Sequence, residues 1–282
     1  PPVSPNTLTI GVSQSGETAD TLAALRMERE RRNSIKDSNY FFHQLGITNR
    51  IDSSLARELD SVIDIESGIE IGVAATKTFL GQMLAFYGLT LLFASHKNKR
   101  SNQDILNLSN DLRLVPKQLF ELIKKHDDLS REMAHLFVET KDVIFLGRGI
   151  NYPIALEGAL KLKEISYIHA QGYPAGELKH GPIALLDQHV PVISIAIPGV
   201  VYEKVLSNSQ EAKARDARLI GVSSVGPESE MFDELFAIPK VSEWVSPLLT
   251  VVPLQLFSYH IAAHKGLDVD QPRNLAKSVT VE

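Results

Sequence analysis

The 282-residue chain contains no cysteine. Disulfides and thiolate-ligated metals are therefore excluded. Neither charge sign dominates: 29 Lys and Arg face 34 Asp and Glu, for a net charge of −5. Nothing here suggests a nucleic-acid surface, and any anionic ligand must be held by local donors. The longest apolar stretch, Phe79 to Ala94, is broken by Gln82 and Thr90 and is short for a membrane span. There is no phosphate loop of the GxxxxGK[ST] type, no GxGxxG and no metal-ligand spacing. GRGINY (147–152) lacks the third glycine and the acidic follow-up of a dinucleotide site. No secretory signal pattern opens the sequence, so a cytoplasmic setting is expected. Neither a metal nor a cofactor is expected.

What is present is a soluble, globular composition, 44% hydrophobic and 22% charged, over a length sufficient for two domains. Residues 1–7 hold three prolines and predict no regular structure. Leu8–Val12 reads as a strand and Thr18–Arg31 as a helix. A loop over 33–42 follows, then a buried strand at 45–49, a short helix at Leu55–Leu59 capped by Ser53 or Ser54, and a strand at 61–66. A long, mostly apolar helix runs from about Ala74 to His96. KNKRSNQ (97–103) is the polar hinge. Amphipathic helices are expected over 102–125 and 127–139.

The second half opens with the strand DVIFLGRG (142–149) and a helix from Pro153 to about Ser166, with Pro153 at N1. An irregular segment, 167–187, follows. Strands at 190–198, 218–224 and 234–239, a helix at 201–216 and a second long apolar helix at 246–265 complete it. Residues 266–282 show no period and read as an extended tail. Apolar strands alternating with helices argue for α/β domains with mainly parallel sheets. The expected division is 1–100, 101–265 and the tail 266–282.

A weak internal repeat accompanies this pattern. GVSQSGE and GVSSVGP each close a strand upstream of a long apolar helix, and a loose Glu–Val pattern precedes each helix (Glu70/Val73 and Glu243/Val245). On that alignment the first domain lacks an opening strand and helix.

Four stretches carry candidate chemistry. In SQSGET, the strand turns through small hydroxyl residues into a helix, where N–H groups and the helix dipole favour an anion. Ser13, Gln14, Ser15 and Thr18 are the donors. The same pattern fits a plain corner with Ser15 or Thr18 as N-cap. Glu157, Lys161 and Glu164 stack on one helix face. That stripe is either a solvated, salt-bridged surface or a carboxylate with a lysine beside it, able to move a proton next to a carbonyl. GELKHGP (176–182) places His180 in a Gly/Pro-framed loop, either as an exposed turn residue or as a proton carrier. In the tail, Arg273, Asn274 and Lys277 either fray or fold over a site, where Lys277 would offer an amine for a Schiff base.

SQSGETADT (13–21), IEIGVAATKTF (69–79), LGRGINYPIALEGALKLKEISYIHAQGYPAGELKHGP (146–182) and DQPRNLAKSVTVE (270–282) together resemble the isomerase part of the glutamine–fructose-6-phosphate aminotransferases. SQSGET alone would indicate only the broader sugar-isomerase (SIS) domains. The resemblance spans essentially the whole chain. It implies two flavodoxin-like SIS domains, three-layer αβα, the first incomplete, in a homodimer acting on fructose 6-phosphate. It assigns Ser13, Gln14, Ser15 and Thr18 to the phosphate and backbone groups of Val73 and Ala276 to the pocket wall. Glu164 would move a proton between C1 and C2 with Lys161 beside it. His180, donated by the partner subunit, would open the sugar ring, and Lys277 would form the Schiff base. The family's glutaminase domain and its nucleophilic cysteine are absent from these residues, as is the first SIS domain's Gly-Thr-Ser phosphate loop. A stand-alone sugar-phosphate isomerase and a non-catalytic sugar-phosphate sensor are the alternatives.

Overall fold

The structure, a computed structural model, describes residues 4–35 and 41–277. Parts of the expected irregular start, of the 33–42 loop and of the tail therefore lie outside the described residues. The chain divides into two compact units, Pro1–Ser101 with Arg273–Glu282, and Asn102–Pro272. Residues 266–272 of the expected tail thus group with the second unit and those from Arg273 with the first.

In the first unit, β1 (Thr7–Val12), β2 (Phe42–Thr48) and β3 (Ser61–Asp64) form a parallel sheet in the order β1-β2-β3. Helices α1 (Ala19–Asn33) and α2 (Ser54–Glu58) connect them. Leu22 and Leu25 of α1 meet Leu55 of α2 in a small core. Arg32 is buried at the end of α1. It donates to Thr7 O at 3.3 Å and to Thr9 Oγ1 at 2.9 Å, and it pairs with Glu28. Its cation is thereby neutralised and hydrogen-bonded, as burial demands.

Helix α3 (Lys77–His96) follows β3. Among the described residues it is the one helix long and apolar enough to cross a membrane, by length and composition alone. Leu84, Phe86, Leu92 and Phe93 on it are exposed.

The second unit begins with α4 (Asn102–Ala134), a single helix running through Pro116 and ending in a 3₁₀ turn, His135–Phe137. This corrects the expected pair of helices over 102–125 and 127–139. The helix continues through the gap at 126 because side chains there have partners outside it. His126 is buried with its Nε2 3.0 Å from Ala237 O, and Asp127 lies 2.8 Å from His260.

Five parallel strands follow: β4 (Asp142–Gly147), β5 (His169–Pro174), β6 (Val192–Ala196), β7 (Leu219–Ser223) and β8 (Glu234–Ala237). Their order is β5-β4-β6-β7-β8, the flavodoxin-like order with its switch between the first and third strands. Strand β5 falls in the stretch expected to be irregular. Its sequence HAQGYP is polar and glycine-containing because it is an edge strand, so no apolar run marks it.

Right-handed crossovers put α5 (Tyr152–Ser166) and α6 (Tyr202–Lys213) on opposite faces of this sheet. Helix α7 (Ser246–His264) packs against α4 and α5. Phe236, Phe257 and Phe137 form an edge-to-face chain that ties β8, α7 and the turn after α4 together. Buried Asn151, just before α5, donates to Ser246 Oγ at 2.9 Å and accepts from Thr250 Oγ1 at 3.0 Å, fixing the start of α5 on the first turn of α7. Pro153 sits one residue deeper than expected, at the second helical position.

The strand order also corrects the repeat. Counting back from the long apolar helices, β1-β2-β3 before α3 correspond to β6-β7-β8 before α7. GVSQSGE therefore matches the β6 corner and not GVSSVGP, which closes β7. Strands β4 and β5 have no counterpart among the described residues of the first unit.

Candidate active site

Parallel strands place their carboxyl ends, and the loops that leave them, on one edge of the sheet. In the first unit those loops carry the SQSGET corner. Ser13 N donates to Ile47 O at 3.1 Å and Asn49 N to Gln14 O at 3.1 Å, so the corner is pinned to the end of β2. Gly16 has φ +68, and a Cβ there would lie 2.0 Å from Ser53 Oγ. Only glycine fits both the backbone and the space.

The expected cap differs in detail. Thr18 is the N-cap of α1, but its side chain makes no cap bond. Its Oγ1 lies 2.8 Å from Ser13 Oγ, which also accepts from Gly16 N at 3.0 Å. Ser13 is buried. These two hydroxyls brace the corner from within, while Gln14 and Ser15 face the pocket beside it. At α2 the expected cap is present: Ser53 accepts from Ala56 N at 3.4 Å.

That pocket has a volume of about 720 Å³ and is lined by Gln14, Ser15, Asn49, Arg50, Glu70 and Lys277, among others. Lys277 Nζ donates to Gly72 O at 2.6 Å and to Glu70 Oε2 at 3.1 Å. The tail residue is docked, not frayed. Glu70 in turn accepts from Thr76 N at 2.9 Å, from Thr76 Oγ1 at 3.2 Å, from Thr78 N at 3.3 Å and from Thr78 Oγ1. Burial raises the pKa of this carboxyl, but the bonds from Thr78, Thr76 and Lys277 outweigh it and hold it down to about 2. Val73 is half-buried in the link to α3, and Ala276 is exposed. Neither lines the pocket with Lys277.

The second unit carries the other candidates. On α5, Lys161 is 4% exposed. Its Nζ lies 2.6 Å from Glu164 Oε2 and 3.4 Å from Glu157 Oε1. The two carboxylate side chains are 21% and 10% exposed. The stripe is therefore not a solvated surface. Burial raises the pKa of Glu157, and Lys161 opposes that rise. Glu164, hydrogen-bonded to the same cation, is the more exposed of the two carboxylates. His180 is exposed at the end of a 3₁₀ segment, Ala175–His180, which buried Ala175 and Leu178 anchor in the core and whose Lys179 pairs with Glu211 of α6 at 2.8 Å.

The structure thus gathers Gln14, Ser15 and Lys277 in one pocket, and Lys161 with Glu164 on one helix face. It sets His180 on a separate turn. Sequence reasoning gave no role to Asn49, Arg50 and Glu70. Their signal was positional, since each follows the end of β2 or β3.

A hydroxyl-lined corner at the carboxyl ends of parallel strands, with an amine in the same pocket, defines an α/β protein with donors arranged for a small anionic ligand. The chain belongs to the SIS domain family, which matches residues 1–92 and 136–265. It is 62% identical over its whole length to a glutamine–fructose-6-phosphate aminotransferase (isomerizing) of Nostoc sp. (strain PCC 9229) and 60% identical to that of Synechocystis sp.. The chain spans 45% of the length of these relatives. Among solved structures, it matches the C-terminal domain of glucosamine-fructose-6-phosphate aminotransferase from Francisella tularensis with a TM-score of 0.88 and 40% identity, covering 96% of this chain and 74% of that one.

Proposed function

We propose that this chain is the isomerase part of a glutamine–fructose-6-phosphate aminotransferase, which converts fructose 6-phosphate and glutamine-derived ammonia to glucosamine 6-phosphate. The observation that carries this reading is the shared pocket of the SQSGET corner and Lys277. It offers phosphate donors and an amine to one small ligand. The phosphate anchors the sugar, so binding energy orients C1 and C2. Ser13, Gln14, Ser15 and Thr18 shape its site. His180 opens the ring, donated by the partner subunit of a homodimer in the cytoplasm. Lys277 holds the open-chain ketone as an imine until ammonia replaces it at C2. Glu164 then takes a proton from C1 and returns it to C2, with Lys161 hydrogen-bonded beside it.

In the full-length protein, Glu164→Gln should abolish amino-sugar formation and leave fructose 6-phosphate binding intact. Normal turnover by that variant would sink the assignment. Loss of isotope from C1 of the sugar separates this reading from a non-catalytic sensor. Amino-sugar formation from ammonia separates it from a stand-alone ketose/aldose isomerase.

A further inference from the structure

We propose that Glu70 is the positioning residue for Lys277: its carboxylate, clamped at the start of α3, fixes where the amine stands in the pocket and serves as its counter-ion. The inference rests on the reading of Lys277 as the Schiff-base amine and adds a residue which that reading does not use.

Lys277 lies at the end of an irregular stretch, and nothing in its own backbone fixes its Nζ. Long lysine side chains keep most of their rotamer freedom unless something holds the tip. Here two acceptors do. Gly72 O takes one N–H at 2.6 Å and Glu70 Oε2 another at 3.1 Å. A carboxylate can anchor a cation only if it is itself held. The Glu70 side chain is 5% exposed and is immobilised by donors on both oxygens. Oε1 accepts from Thr76 N, Thr76 Oγ1 and Thr78 N, while Oε2 accepts from Thr78 Oγ1 and Lys277. Thr76, the N-cap of α3, makes no cap bond with its own side chain. Glu70 therefore also satisfies N–H groups that the helix start leaves unpaired, and α3 becomes the base on which the amine is mounted.

The charge matters beyond placement. The ammonium of Lys277 and the C2 ketone of the sugar become a protonated imine and one water. Nζ forms the bond to C2, the carbonyl oxygen leaves as that water with two of the ammonium's protons, and the positive charge stays on nitrogen. Glu70 faces a cation before and after the step. An amide in its place would have to turn its NH2 toward either the two N–H donors at Oε1 or the lysine at Oε2. The second costs less, because Thr78 can reverse its hydroxyl, and it sets donor against donor at Lys277.

The test traps the imine in the full-length protein with fructose 6-phosphate and borohydride, and follows the reduced adduct on the Lys277 peptide by mass spectrometry. Wild type should label Lys277, and Lys277→Arg should not. Glu70→Gln should label at least tenfold more slowly at saturating sugar, with the dissociation constant for fructose 6-phosphate within twofold of wild type. Glu70→Asp, which keeps the charge, should recover part of the rate. If Glu70→Gln does not fold, Thr78→Val replaces it; this loosens only Oε2 and should slow labelling at least threefold. Labelling of a folded Glu70→Gln at the wild-type rate would overturn the proposal and leave the Schiff base standing, as would a wild-type rate in Thr78→Val where that variant replaces it. A parallel loss of sugar binding would make Glu70 merely structural. An unlabelled Lys277 in wild type would overturn the Schiff base, and this proposal with it.

Discussion

Lys161 is the residue whose removal the structure makes most informative. Its Nζ sits between two carboxylates, 2.6 Å from Glu164 and 3.4 Å from Glu157, on a covered face of α5. Lys161→Met keeps the aliphatic stem and deletes the charge, leaving two largely covered carboxylates seven residues apart on one helix face. Breaking a buried ion pair by removing one partner costs about 3–5 kcal/mol, because the remaining charge is uncompensated. Glu157 bears most of that penalty. Burial already raises its pKa, and in the variant Lys161 no longer opposes the rise.

A carboxyl whose folded-state pKa lies above its unfolded value binds its proton more tightly when folded. Folding therefore loses free energy as pH rises from the unfolded value of 4.5 through the folded one. The wild-type chain carries a small version of this penalty and Lys161→Met a larger one. Each pH unit over which the folded variant holds one extra proton is worth about 1.4 kcal/mol. The stability gap between wild type and variant should thus be wider at pH 8 than at pH 5. Trp244, the single tryptophan, lies in the second unit and reports its urea unfolding by fluorescence. A gap that is the same at both pH values, or a total loss under about 1 kcal/mol, would refute the claim that these three side chains form a buried charge cluster.

Gly16→Ala should destabilise the first unit by about 2 kcal/mol or more, from left-handed strain and the collision with Ser53. Because the corner must move, fructose 6-phosphate binding should weaken with it; calorimetric titration beside a urea melt checks both. Asn151→Ala removes two buried bonds and leaves Thr250 without its acceptor. It should cost about 2–3 kcal/mol in the second unit, read by the Trp244 unfolding midpoint.

Strands β4, β6 and β7 were legible in the sequence because a parallel sheet covered on both faces demands unbroken apolar runs, and VIFLG, VISIA and LIGVS supply them. The edge strand β5 was not, since one side of its backbone pairs and its side chains need not be apolar. Helix α4 misled in the opposite way. Two helices were expected to meet at 126, yet His126 and Asp127 are spent on partners more than a hundred residues away, Ala237 and His260. No local pattern carries such contacts. The stripe on α5 shows the same limit, because Glu157, Lys161 and Glu164 have the spacing of a surface helix and only the packing of α5 on the sheet and α7 buries them. For Lys277 the residues left a frayed end and a Schiff-base amine both open, since its anchor Glu70 lies more than two hundred residues earlier.

The two units divide the chemistry in a way that follows from their strand orders. In the first, each of three parallel strands ends in a loop that becomes a wall of one pocket: β1 gives Gln14 and Ser15, β2 gives Asn49 and Arg50, and β3 gives Gly68 and Glu70. Loops from strand ends are rich in backbone N–H groups and short polar side chains, so this unit is suited to gripping an anion. In the second unit, β4 lies at the reversal of strand order, and the helix that leaves it is α5. A helix face offers what loops do not: three long side chains at fixed spacing, held rigidly enough to keep a lysine beside a carboxylate at 2.6 Å. Proton transfer needs that precision, whereas phosphate binding tolerates a braced corner. Parallel α/β units thus present a donor-lined pocket at their strand ends and a lysine–carboxylate pair on the switch-point helix.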